Sequence, residues 1–111
     1  MSIKVHLVGK TNVTPGNIIF FKAEANYSEA FMLDGQRIIL SKTLKQMETI
    51  FAKFGFYRPH KSFLINLEHV VSWSFSTDRQ IELTNNFKAE LSRRKKNDFM
   101  EIRSNKKVSH Y

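Results

Sequence analysis

Hydrophobic and polar positions along the chain predict many short strands and one clear helix. Ile3, Val5 and Leu7 alternate with Lys4 and His6, the period-two pattern of a half-buried first strand. Thr11-Asn-Val-Thr-Pro-Gly-Asn17 reads as a loop, with Pro15-Gly16 as its punctuation. Ile18, Ile19, Phe20 and Phe21 form a short apolar run typical of a buried strand. Segments 27–33 and 37–40 flank Asp34-Gly35, a dipeptide that supplies the positive φ of a tight hairpin turn.

From Leu44 to Phe54 the period changes. Leu44, Met47, Ile50, Phe51 and Phe54 share one face of a helix, and a Met and aromatic stripe of this kind is a packing face. Thr43 with Gln46 three residues later has the capping-box pattern, and Gly55 stands where a left-handed residue would end the helix. Phe56 can then fold back on the last turn. Strands are predicted at 57–60, 63–65, 70–75, 80–83 and 87–91, with turns at Thr77-Asp78 and Asn85-Asn86. Ser92 is expected to cap a short helical turn reaching Asn97. The reading is therefore a mainly β fold: one domain over residues 1–103, followed by a basic, frayed tail over 104–111.

Composition narrows the function classes. Apolar residues make up 41% of the 111, ten of them Phe, enough to bury a core and argue against disorder. With no cysteine there is no disulfide framework, thiolate metal site or Cys nucleophile. His6, His60, His69 and His110 show no metal-ligand spacing, so neither metal nor cofactor is expected. Phosphate-cradling glycine motifs and nucleophile elbows are absent, so the chain is not expected to be an enzyme or to take a small-molecule substrate. No apolar run approaches the roughly 20 residues of a membrane span, and the N-terminus lacks a signal-peptide core. A cytoplasmic protein without a membrane partner is the expectation.

Charge changes the picture most. Eighteen Lys and Arg face ten Asp and Glu, a net of +8, and residues 88–107 hold eight cations against three acids, +5 of that excess. Such a localised field captures polyanions. It equally fits a solubilising surface, an acidic protein partner or anionic lipid. Two segments sharpen the choice. Between apolar anchors, Tyr57-Arg-Pro-His-Lys-Ser-Phe-Leu-Ile-Asn66 presents Arg58, His60, Lys61, Ser62 and Asn66. Lys can read guanine acceptors, and Arg and Ser can clamp phosphates. A structural histidine, a turn-capping Asn66 and a merely solvated Lys61 are the plainer alternatives. In Ser92-Arg-Arg-Lys-Lys96, four consecutive cations cannot all point inward, and phosphate would relieve their repulsion.

At these segments the chain resembles the LytTR DNA-binding domain. The family stretch F-x-R-x-H-[RK]-S-x-[LIV]-[LIV]-N appears as Phe56-Tyr-Arg-Pro-His-Lys-Ser-Phe-Leu-Ile-Asn66. Ala23-Glu-Ala-Asn-Tyr27, Thr43-Leu-Lys-Gln-Met-Glu48 and Leu91-Ser-Arg-Arg94 follow the family's order and spacing between about Ile18 and Met100. Each is weak alone; together they are specific. The resemblance implies short antiparallel sheets in an elongated arrangement with one small helix, whose loops enter successive major grooves of double-stranded DNA. It places base reading at Asn26, Ser28, Lys61 and Arg94, and phosphate contact at Tyr27, Arg58, His60, Ser62, Ser92, Arg93 and Lys95. It further implies a bacterial transcription regulator, working as a dimer on paired half-sites. Family modules usually follow a receiver or sensor domain, and none precedes this one, so a receiver-less regulator or a fragment of a longer one is expected. An RNA-binding or ribosome-associated β-module, stacking bases on Tyr27, Tyr57 and Trp73, is the alternative; a basic protein-interaction domain is another.

Overall fold

A computed structural model of the chain describes residues 3–9, 11–75 and 79–108. The expected turn at Thr77-Asp78 lies outside the described residues. Strands β1 (Val5–Val8) and β2 (Thr11–Val13) form a hairpin in which Val5 faces Val13 and His6 faces Asn12. The loop expected from Thr11 therefore begins as a strand. Three residues are too few to show a period, and their conformation is set by the partner strand. Pro15–Asn17 make one 3-10 turn, leading into β3 (Ile18–Glu24).

β3, β4 (Tyr27–Met32), β5 (Arg37–Leu40), β6 (Phe56–His60) and β7 (Phe63–Asn66) build one antiparallel sheet in the order β5-β4-β3-β7-β6. β8 (Val70–Ser74), β9 (Gln80–Leu83) and β10 (Lys88–Glu90) build a second, in the order β10-β9-β8. The expected hairpin turns at Gly35, with φ +94°, and Asn85 and Asn86 both adopt positive φ between β9 and β10.

Both faces of the five-stranded sheet are covered, which is why all of Ile18-Ile19-Phe20-Phe21 is buried. One face packs Phe21, Ala30 and Leu64 against Leu7, Val13 and helix α1 (Leu44–Phe51). The other packs Phe20, Phe31 and Ile65 against Ile81 and Leu83 of the three-stranded sheet and against Phe99. Phe20 and Phe31, opposed across β3 and β4, stack with ring centroids 4.3 Å apart.

α1 starts as expected. Thr43 Oγ1 accepts from the Gln46 amide at 3.2 Å, and Gln46 Oε1 accepts from the Thr43 amide at 2.8 Å. Leu44, Met47 and Phe51 are buried, and a 3-10 turn, Ala52–Phe54, carries the chain to Gly55 at φ +83°. Phe56 returns to Phe51, with centroids 5.2 Å apart.

The second helix was not expected. After a 3-10 turn at Arg93–Lys95, α2 runs from Lys96 to Val108, through residues read from sequence as a short turn and a frayed tail. Its start needs no side-chain cap from Ser92, whose carbonyl instead accepts from the Lys95 amide at 3.0 Å. Among the described residues, α2 is tied to the sheets through Phe99, Asp98 and Arg103. Phe99 is fully buried beside Tyr57 and edge-on to Trp73, which stabilises by about 1.5–3 kcal/mol. The Tyr57 hydroxyl donates to Asp98 at 2.8 Å, and Arg103 donates to the Leu67 carbonyl at 3.2 Å. Asn66, buried at the end of β7, donates to the carbonyls of Pro15 and Ile18 and accepts from the Glu68 amide. The turn-capping expectation for Asn66 is met.

Candidate nucleic-acid interface

Strand pairing brings three distant turns to one end of the molecule. β3 reverses into β4 at Ala25 and Asn26, and β6 reverses into β7 at Lys61 and Ser62. β3 and β7 are antiparallel neighbours with Lys22 opposite Phe63, and the Ala23 amide donates to the Ser62 carbonyl at 2.9 Å. The two turns therefore share an edge. The third is the turn at Arg93–Lys95. It is seated by the Ser92 amide, which donates to the Pro59 carbonyl of β6 at 2.9 Å.

On this rim the cations divide into tied and free. Lys61, Arg93 and Arg94 are exposed, and among the described residues their side chains have no acidic, hydrogen-bonding or ring partner. Arg58 turns inward. One guanidinium nitrogen lies 3.3 Å from Glu48 of α1, another donates to the Lys61 carbonyl at 2.8 Å, and Nε is buried without a partner. His60 accepts from the Ser62 amide at Nδ1, so its proton sits on Nε2, 3.2 Å from Glu90. Lys95 lies over the ring of Tyr57 at 5.7 Å. A concavity of about 390 Å³ is lined by Glu48, Arg58, His60, Lys61, Ser92, Arg94 and Lys95, which brings the predicted readers Lys61 and Arg94 together. His60 and Ser92 also wall a neighbouring concavity of about 460 Å³ that includes Arg79 and Arg93.

Asn26 and Tyr27 are exposed on the rim, outside both concavities. Ser28 is a correction. Its side chain is fully buried, with the hydroxyl donating to the Lys42 carbonyl at 2.8 Å, so it ties β4 to the segment after β5 and offers nothing to a base. Sequence reasoning missed Glu48, Glu90 and Arg79. The two acids come from α1 and β10, ten or more residues from the Arg58 and His60 side chains they meet, and no local period marks them. Arg79 sits beside the final turn and donates to the Leu91 carbonyl at 3.3 Å.

The aromatics proposed for stacking are largely engaged. Tyr57 is bonded to Asp98, and Trp73 packs on Phe99 with Arg103 over its ring at 5.4 Å. Among the described residues, no group of three or more His, Asp or Glu is placed to hold a metal ion, and no helix is long and apolar enough to cross a membrane.

The family model for the LytTr DNA-binding domain matches residues 9–104. The chain belongs to the LytTR family. A LytTR domain binds DNA. The fold agrees. The LytTr DNA-binding domain of a methyl-accepting/DNA response regulator from Bacillus cereus superposes with a TM-score of 0.75 at 17% identity, over 91% of this chain and 95% of that one. No curated protein gives a significant match to the sequence. Both the mainly β architecture and the family expected from the sequence stand.

Proposed function

We propose that this LytTR domain binds duplex DNA sequence-specifically, with its turns entering the major groove, and regulates transcription in bacteria. One observation carries the reading: Lys61 and Arg94, from segments over thirty residues apart in sequence, line one concavity with no acidic partner on either side chain. Arg94 suits a bidentate contact with guanine, and Lys61 reads the same acceptors as a point charge. Asn26 would reach a neighbouring stretch of groove. Tyr27, Ser62, Ser92, Arg93 and Lys95 surround these readers as phosphate contacts. The description of the Bacillus cereus protein as a DNA response regulator fits a regulatory role. One small module reads few base pairs, so two copies on repeated half-sites are the expected unit.

Selection of bound duplexes from a random library at about 150 mM salt tests the proposal, since that salt suppresses purely electrostatic binding. A pair of similar half-sites about one helical turn apart is the expected outcome. No enrichment, with binding that collapses as salt rises, would reduce the rim to a non-specific polyanion surface.

A further inference from the structure

The turn at Lys61 and Ser62 is held by its backbone. The Lys61 carbonyl accepts from Arg58 at 2.8 Å, the Ser62 amide donates to His60 at 3.1 Å, and the Ser62 carbonyl accepts from the Ala23 amide at 2.9 Å. Arg58 is in turn fixed by Glu48 at 3.3 Å, a residue of α1 between the buried Met47 and Phe51. Its Nη2 is engaged by the Lys61 carbonyl, so the guanidinium cannot turn that nitrogen to a phosphate without abandoning this bond.

We propose that Glu48 and Arg58 form a positioning pair that clamps the Lys61 turn to α1 and so sets where the Lys61 side chain reaches. The role differs from phosphate contact. It rests on the reading of Lys61 as a base contact. Glu48 is an acid lining a concavity otherwise rich in cations, and electrostatically it opposes DNA. Its presence there is accounted for by what it holds. An arginine fork can bond a carboxylate and a carbonyl at once, whereas a lysine supplies charge without that planar geometry.

The test uses the full chain, the duplex taken from library selection and a scrambled duplex of equal length. Glu48→Gln and Arg58→Lys should each shift the backbone NMR resonances of Lys61 and Ser62 in the free protein. Each should lower the preference for the selected duplex roughly tenfold, about one base contact's worth. Glu48→Gln should at the same time hold or tighten binding to the scrambled duplex, because a negative charge is gone. The salt slope of Arg58→Lys should stay that of the parent.

A phosphate-contacting Arg58 gives a different result. Arg58→Gln would then weaken both duplexes equally and lower the salt slope by about 0.9, with the Lys61 resonances unmoved in Glu48→Gln. That outcome overturns the clamp. If the parent protein prefers no duplex, the base-reading role of Lys61 fails by itself. The Lys61 and Ser62 resonances of Glu48→Gln then decide whether the clamp exists.

Discussion

The two faces of the five-stranded sheet are covered by different means. On one side α1 is capped at Thr43, ended at Gly55 and buried through Leu44, Met47 and Phe51, all within one contiguous stretch. On the other side α2 depends on ties across the chain: Tyr57 to Asp98, 41 residues apart, and Leu67 to Arg103, 36 apart. Yet both faces end at the same rim. The α1 side supplies Glu48 to the turn of Lys61, and the 3-10 turn that leads into α2 carries Arg93 and Arg94. A local helix therefore holds the turn whose backbone is fixed, and a long-range one follows the turn whose arginine side chains are free.

The largest test of this difference is in the core. Phe51→Ala should cost about 3–5 kcal/mol in denaturant unfolding. Phe99→Ala should cost less, because α2 can lift and let Trp73 and Tyr57 settle into the gap. Equal costs would show that α2 is as integral as α1. Next in size, Arg94→Ala should lose about 1–3 kcal/mol of preference for the selected duplex. Equal weakening on every duplex would make Arg94 a phosphate contact.

Tyr57→Phe removes the tie to Asp98 at the surface and should cost about 1 kcal/mol. It should also change the alkaline limb of stability. Burial, aided by the hydrogen bond and the charge of Asp98, pushes the Tyr57 phenol well above its ordinary 10.0. The unfolded chain releases that proton near pH 10 while the folded chain keeps it, so stability falls as pH rises past about 10. Thermal melts from pH 8 to 11 should show a shallower fall for Tyr57→Phe; an unchanged slope would place the titration elsewhere. Smallest, Thr43→Ala should cost about 0.5–1 kcal/mol, seen as a lower Tm, for the loss of an exposed cap.

The same contrast explains what could be read from the sequence. The helix from Leu44, the hairpin at Asp34-Gly35 and the doubly buried run from Ile18 each carry their cause in neighbouring residues. β2 does not, because Thr11–Val13 is a strand only opposite β1. α2 does not either: a single fully buried Phe99 leaves no apolar stripe to recognise. Within the site, Arg93 and Arg94 were legible as cations too crowded to hide, and Lys61 as a lysine exposed by default. The burial of Ser28 was not, since a lone serine in a strand shows its hydroxyl partner only once Lys42 is placed beside it. The carboxylates of Glu48 and Glu90 were hidden for the same reason.

β6 is an outer strand of its sheet, and an outer strand offers its unpaired backbone to any passing chain. Pro59 removes one amide from that strand, and the Ser92 amide occupies the Pro59 carbonyl. The hydrogen bond that seats the basic turn thus also closes part of the sheet's margin. A strand of another chain adding at this margin would have to displace that hydrogen bond and would find no amide at Pro59.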